Sequence, residues 1–319
     1  MRTQEVEIVR RQQIAMGIVE LELRADNHRL LPGYRAGAHV DVLMPGGLSR
    51  SYSLTTSAGP GGAERYVIAV GLSATSRGGS DWIHQHAHPG VRLQVGEPRN
   101  LFELRDDPAP ALFIAGGIGI TPLQLMAQER AAQGRLFRVV YAARSRAHAA
   151  YLSRLESLGS STATHFDDEA DGKPLDVAAV LRGVDPGTQI YCCGPGAMMD
   201  AVREGARNVG HDLARLHFES FTPAAEATAQ AGRFIVRLGR SGRDIEIEPG
   251  RSILDTLEDH GVVVPSVCRE GVCGSCECMV LEGEVDHHDQ ILSEDERVAN
   301  RSMMICVSRA RGERVVLDL

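Results

Sequence analysis

Cys268-Arg269-Glu270-Gly271-Val272-Cys273-Gly274-Ser275-Cys276 places three thiols at the spacing C-x4-C-x2-C, and Cys306 supplies a fourth after 29 intervening residues. That order of thiolates is the plant-type arrangement for a 2Fe–2S cluster. Two irons need four thiolates set tetrahedrally in pairs, so a tight loop provides three and a distant strand the fourth. Gly271 and Gly274 let the backbone wrap closely and aim amide hydrogens at the sulfurs, which raises the potential of such a centre. A structural zinc site also takes four thiolates, but zinc sites usually pair two C-x2–4-C knuckles, and a lone C-x4-C-x2-C with a far fourth cysteine matches that poorly. The expected ligands are Cys268, Cys273, Cys276 and Cys306. Cys278, two residues past the loop in an expected strand, reads as a buried thiol outside the set.

Working outward, the 319 residues include seven cysteines, an odd number and too few for a disulfide scaffold, which favours a metal or redox site in a reducing compartment. With 43% hydrophobic and 24% charged residues the chain is not a disordered one. The net charge of −8, with no run of like charge, speaks against nucleic-acid binding. Residues 226–319 hold 18 acidic and 11 basic residues, so the last domain carries nearly all of the excess negative charge. The N-terminal residues lack the apolar stretch of a signal peptide. The most apolar window, 111–127, is interrupted by three glycines and Pro122 and is too short to span a bilayer. A cytoplasmic protein without membrane contact is expected.

Upstream, the first hundred residues alternate in short segments at 6–9, 18–23, 39–43, 50–54, 66–70 and 91–95, separated by Gly-rich turns. They predict a small antiparallel barrel, with one helix starting near Ser80. After Pro108 the pattern changes to buried strands at 111–115, 136–142 and 190–193, with helices at 122–133, 147–158 and 197–209. That alternation predicts a doubly wound parallel sheet. Residues 225–232 read as a linker. Beyond them, strands at 234–238 and 244–247 flank Ser241-Gly242, a hairpin signal, and a helix at 252–260 has Ser252 as N-cap and Gly261 at its end. The expected domains are 1–105, 106–224 and 233–319.

Two further motifs carry chemistry. Gly116-Gly117-Ile118-Gly119-Ile120-Thr121-Pro122 follows a strand and opens a helix, with glycines where backbone approaches a phosphate, Thr121 as N-cap and Pro122 at the first helical position. Cys193-Gly194-Pro195 lies at the carboxyl edge of a later strand, where ligands bind in such sheets. In Arg50-Ser51-Tyr52-Ser53, period-two alternation puts Arg50 and Tyr52 on one face and Ser51 and Ser53 on the other.

The order Arg-Ser-Tyr-Ser, Gly-Gly-Ile-Gly-Ile-Thr-Pro, Cys-Gly-Pro and C-x4-C-x2-C…C resembles the phthalate dioxygenase reductase family, including the reductase subunits of vanillate demethylase, over essentially the whole chain. The resemblance implies a β-barrel flavin domain, an α/β nicotinamide domain and a C-terminal ferredoxin domain of β-grasp form. It implies that Arg50 binds the flavin phosphate, that Ser51 belongs to the cofactor-binding set, that Tyr52 packs on the isoalloxazine, and that Ser53 sits near flavin N5. Val70 and Gly71 end the strand before a second phosphate loop, Ser76-Arg77-Gly78-Gly79-Ser80. The family often has a basic residue where Gly71 stands, so one phosphate contact is missing. Gly116, Gly117, Gly119, Gly194 and Pro195 would hold the nicotinamide cofactor, Thr121 would lie between the two cofactors, and Cys193 would face the nicotinamide ring. Phe221 would shield the flavin until nicotinamide displaces it. Arg144 and Arg146 could reach an adenosine ribose or a 2′-phosphate.

The implied activity is that of a monomeric oxidoreductase taking hydride from NADH, in preference to NADPH, onto FMN, in preference to FAD. Electrons then pass through the 2Fe–2S cluster to a terminal Rieske oxygenase of aromatic catabolism. The competing reading is a flavin and iron–sulfur redox sensor or binding module; the intact nicotinamide loop argues against it. His84, His86 and His88 read as a solvated helix end, and His287-His288-Asp289 as a surface loop. Asp289, Asp295 and Glu296 form an acidic strip suited to docking.

Overall fold

Alternation of apolar and polar residues builds much of the first sheet, and the run over 66–71 is apolar throughout. The computed structural model describes residues 3–26, 29–58, 61–73, 78–221, 232–266, 269, 271, 274–289 and 291–319. The expected linker, apart from Gly232, lies outside these residues, as do Cys268, Cys273, Ser76 and Arg77. The chain forms two compact units, Met1–Glu219 and Ser220–Leu319. No helix among the described residues is long and apolar enough to cross a membrane.

The first unit opens with β1 (Thr3–Ala15), β2 (Ile18–Ala25), β3 (His39–Met44), β4 (Leu48–Ser53), β5 (Tyr66–Gly71), α1 (Gly79–His86) and β6 (Arg92–Gly96). The six strands run in the order β4-β3-β6-β1-β2-β5 with antiparallel pairing throughout. A bridge between Leu54 and Ile68 joins the two edges and closes the barrel. Closure removes the exposed edges an open sheet would leave.

The same unit continues with β7 (Ala111–Gly116), α2 (Ile120–Ala132), β8 (Phe137–Ala143), α3 (Leu152–Glu156), β9 (Thr162–Phe166), α4 (Val177–Leu181), β10 (Gln189–Cys193), α5 (Gly196–Asn208) and β11 (Leu216–Glu219). Its strands are parallel in the order β11-β10-β7-β8-β9. Every residue of β7 and β10 is buried, as a central strand covered on both faces requires. The helix expected over 147–158 is shorter. Tyr151 takes a left-handed φ of 59° and donates its hydroxyl to Glu20 at 2.8 Å, so α3 starts only at Leu152.

The second unit comprises β12 (Phe234–Leu238), β13 (Asp244–Ile247), α6 (Ile253–Asp259), β14 (Glu277–Glu282), β15 (Val285–Asp286), α7 (Glu294–Ala299), β16 (Ser302–Met304), β17 (Arg309–Ala310) and β18 (Arg314–Leu317). Its main sheet has the order β13-β12-β18-β14-β16, with β12 and β18 parallel. Ile253, Leu254 and Leu257 of α6 pack into the same apolar core as Val236, Ile245 and Val315. Ser252 caps α6 by accepting from the Asp255 amide at 3.0 Å.

Candidate functional site

In the first unit, β4 carries Arg50 and Tyr52, and α1 begins behind Gly78, whose φ of 89° only glycine adopts readily. Arg50 lies against that helix start: a Cβ on Gly79 would stand 2.7 Å from Arg50 Cγ and 3.2 Å from its Nε. A cation beside the backbone amides of a helix N-terminus suits a phosphate. The Ser73 amide donates to Ser80 Oγ at 3.3 Å, and His84 donates from Nε2 to the Val70 carbonyl at 3.0 Å. His86 and His88 likewise bond backbone carbonyls, of Trp82 and Gln85. Gly71 faces Ile118, whose side chain is 3.6 Å from where a Cβ would stand. The end of β5 is thereby placed on the glycine-rich loop.

At Gly116 and Gly119 that loop is packed so closely that a side chain is excluded. A Cβ on Gly119 would stand 2.2 Å from the Cys193 carbonyl oxygen, and one on Gly116 would stand 2.6 Å from Pro195 Cδ. A Cβ on Gly194 would meet Gly116 Cα at 3.0 Å. The two motifs, far apart in sequence, form one backbone cradle at the carboxyl edge of adjacent strands. Gly117, with φ of 55°, faces open space. Such a cradle fits a pyrophosphate and a nicotinamide ring, which need close backbone approach.

The role of Thr121 as an N-cap is corrected. Gly119 is the N-cap, α2 starts at Ile120, and Thr121 Oγ1 donates back to the Ile118 carbonyl at 2.9 Å. The three-residue turn over Gly117–Gly119 runs straight into the helix, so no capping side chain is needed. Arg144 is exposed at the end of β8. Arg146, also exposed, pairs with Glu156 at 3.4 Å and lies over the Phe166 ring. Phe221, two residues beyond β11, is 37% exposed.

Two residues not singled out in the sequence complete this site. Gln124 is fully buried and donates to the Thr55 carbonyl at 2.6 Å, tying α2 to the segment that follows β4. Glu219 pairs in register with Cys193. As a residue it keeps some surface, but its Oε2 is sealed from solvent and has no hydrogen-bond partner among the described residues. Enclosure pushes its carboxyl from 4.5 up to about 8, and the neighbouring Ser53 hydroxyl offsets part of that rise without meeting full hydrogen-bond geometry. Burial also drives the Cys193 thiol well above its ordinary value, so this sulfur is a neutral thiol. The signal for Gln124 was a polar residue inside the otherwise apolar run 122–127. For Glu219 it was a carboxylate in a strand ending among aromatics.

A measurable consequence follows from Glu219. Its folded-state pKa lies above the unfolded one, so between about pH 4.5 and about 8 the native state holds a proton the unfolded chain has lost. The stabilisation is complete below the lower value and disappears as pH rises through the upper one. Melting temperature should therefore fall across this window in the wild type and fall less in Glu219→Gln. Equal slopes for the two proteins would refute the assignment.

In the second unit, Cys276 and Cys306 are both buried, with their sulfurs 3.1 Å apart. That is well beyond a disulfide bond of about 2.05 Å. Cys306 follows β16, and the Ile305 amide reaches the Cys276 carbonyl at 3.4 Å. Gly271 and Gly274 have φ of 71° and 72°, and a Cβ on Gly271 would stand 2.5 Å from Val307 Cγ2. Arg269, also left-handed at φ of 56°, pairs with Asp255 at 2.9 Å and Glu258 at 2.6 Å on α6. The described part of the loop therefore wraps tightly toward two converging sulfurs, which fits a 2Fe–2S cluster. Cys278 points into the core, where burial pushes its thiol up to about 12.

The expected surface loop at 287–289 is corrected as well. Asp289 is 1% exposed, accepts from the Leu292 amide at 2.8 Å and pairs with Arg297 at 3.7 Å. It belongs to the interior and not to an acidic docking strip, whereas Asp295 and Glu296 are exposed. Buried amides needing an acceptor draw the carboxylate inward.

Residues 236–311 match the 2Fe-2S iron-sulfur cluster binding domain family, and residues 98–216 match the dimethylamine monooxygenase subunit DmmA-like N-terminal domain. The chain is 46% identical over 303 residues to phenoxybenzoate dioxygenase subunit beta of Ectopseudomonas oleovorans, covering 95% of this chain and 93% of that one. It is 40% identical over 317 residues to vanillate O-demethylase oxidoreductase of Pseudomonas sp. (strain HR199 / DSM 7063), covering 99% of each. Among solved structures, phthalate dioxygenase reductase, described as modular for electron transfer from pyridine nucleotides to 2Fe-2S, matches with a TM-score of 0.73 and 38% identity over 99% of this chain and 98% of that one. An intact type IV self-sufficient cytochrome P450 monooxygenase matches with a TM-score of 0.85 and 37% identity over 99% of this chain. The present chain spans only 41% of that longer one.

Proposed function

This chain belongs to the phthalate dioxygenase reductase family, and we propose that it is the NADH-dependent reductase component of a Rieske-type oxygenase or demethylase. In this reading it works in the cytoplasm as a monomer and delivers electrons to a separate terminal oxygenase. The bound FMN supplies the conversion of one hydride into two single electrons, and the 2Fe–2S centre supplies a one-electron acceptor.

The chain's own residues position and enclose. Arg50 and the amides at the start of α1 would hold the flavin phosphate, with Tyr52 and Ser53 further along the same strand. The cradle of Gly116, Gly119 and Gly194 would bring the nicotinamide to the flavin, since hydride transfer needs near-contact of the two rings. Cys193 stays neutral, and Glu219 holds a proton beside Ser53.

The observation that carries this reading is the joining of the two motifs within one unit. Gly71 packs on Ile118, and Gln124 bonds the Thr55 carbonyl. Anaerobic addition of NADH to the purified protein should bleach flavin absorbance and then produce the paramagnetic signal of a reduced 2Fe–2S centre. A colourless protein holding zinc would overturn the reading.

The acidity of residues 226–319 gives a second expectation. Docking of this domain on a basic oxygenase surface should make electron delivery slow by roughly an order of magnitude from low to high salt, because long-range steering is screened. Rates indifferent to ionic strength would remove charge from the docking account.

A further inference from the structure

Electron bookkeeping in this reaction leaves a proton over. NADH gives up two electrons and one proton as hydride, and both electrons then leave singly through the cluster. One proton per NADH must therefore leave an enclosed site by another route.

The barrel holds a row of enclosed polar groups beside that site. β3 and β4 pair with His39 opposite Ser53 and Asp41 opposite Ser51. Directly opposed residues share a face, with Cβ atoms about 5 Å apart. One face of this ribbon thus carries His39, Asp41, Ser51 and Ser53 in sequence. His39 is 4% exposed and Asp41 is completely buried. His39 Nε2, Ser53 Oγ and Glu219 Oε2 are all sealed from solvent and lack hydrogen-bond partners among the described residues. Register sets His39 against Ser53, and Glu219 lies beside Ser53, so one enclosed polar row runs from Glu219 to Asp41. At the far end, Asp41 accepts from Ser51 Oγ and from Arg99 Nη2, each at 2.6 Å. Ser51 reaches the partly exposed surface.

We propose that His39 relays the proton left after hydride transfer from the Ser53–Glu219 end of this row to Asp41 and Ser51, and so to solvent. The proposal rests on the NADH and flavin reading above. In each passage the carboxyl O–H of Glu219 breaks, Ser53 hands its hydroxyl proton on as it accepts that one, and an N–H bond forms at His39. That N–H bond then breaks as an O–H bond forms on the Asp41 carboxylate, Ser51 takes this proton while releasing its own hydroxyl proton to water, and Glu219 regains the proton left behind once both electrons of the next hydride equivalent have departed. No electron moves along this path.

The groups facing His39 set its poise. Enclosure and the Arg99 guanidinium disfavour its charged form, Asp41 favours it, and the balance holds it at about 4. Ser53 faces it from β4, and beyond Ser53 the Glu219 carboxyl carries no charge below about pH 8. His39 is thus neutral at rest and charged only in transit.

The test uses the full holoprotein. His39→Gln keeps the approximate size and hydrogen-bonding capacity but cannot carry a proton. NADH is mixed with the protein and an excess of a one-electron acceptor, and proton release is followed with a pH indicator beside flavin bleaching. In the variant, flavin content and bleaching should match the wild type, while proton release slows at least about tenfold, with a larger solvent deuterium effect. In flavin-free protein, the infrared carboxyl band lost in Glu219→Gln should titrate with a shifted midpoint in His39→Gln. If His39→Gln fails to fold, Asp41→Asn interrupts the same route one step later and must slow release equally. Proton release within about twofold of wild type in a folded variant overturns the relay. So does slowed release accompanied by loss of flavin. Failure of NADH to bleach flavin in the wild type sinks the underlying reading instead.

Discussion

Cys306→Ser should abolish the 2Fe–2S centre while sparing hydride entry. Cys306 sits beyond β16 with its sulfur 3.1 Å from that of Cys276, and both are enclosed by the core of the second unit. A serine hydroxyl there is a poor iron ligand, and losses even of groups around a metal's ligands cost about 10–100-fold in affinity. Delivery of single electrons should therefore fall by at least about 100-fold. The visible absorption and paramagnetic signal of the cluster should vanish, and flavin bleaching by NADH should persist. Cys278→Ala is the control. Its thiol lies in β14 facing the core, so the variant should lose some stability and keep its iron. Retention of a full cluster in Cys306→Ser, or its loss in Cys278→Ala alone, would reverse the ligand assignment.

Gly119→Ala should cripple the nicotinamide side with the flavin and cluster intact. The added carbon would stand 2.2 Å from the Cys193 carbonyl oxygen, 2.5 Å from its carbon and 2.9 Å from the Gly194 nitrogen. All three are backbone atoms of β10 and its exit, which no rotamer change can clear. Overpacking of this kind costs about 1–3 kcal/mol in stability. Because the loop and the Cys193–Pro195 segment are the two walls of one cradle, their separation should raise the KM for NADH by roughly tenfold or more. Gly117→Ala separates sterics from backbone preference. Nothing lies within 4 Å of its Cβ position, and the left-handed φ of 55° costs only about 1–2 kcal/mol. Reduction by dithionite should proceed normally in both proteins. An unchanged KM and melting temperature in Gly119→Ala would show that the cradle opens without cost.

Sequence alone determined what local rules encode. Strand alternation over 6–95, the Ser241-Gly242 hairpin and the Ser252 cap are matched in β1 to β6, β12, β13 and α6. Each depends on neighbours a few residues away. The ligand spacing from Cys268 to Cys306 named the cluster chemistry for the same reason, because a loop's reach is set by its length. Edge elements such as β9 and β11 escaped notice, since both are short and lack the continuous apolar run of a central strand.

Only the tertiary structure decided which polar residues were enclosed. Gln124 meets Thr55 across 69 residues of sequence, and Glu219 comes to Ser53 only when β11 is laid at the edge of the parallel sheet. Asp289 turned inward because buried amides of Ile291 and Leu292 needed its carboxylate. His39 stands beside Ser53 through strand register alone. Burial of a charge or a hydroxyl is set by what the rest of the chain brings to it, and no local pattern of residue types records that.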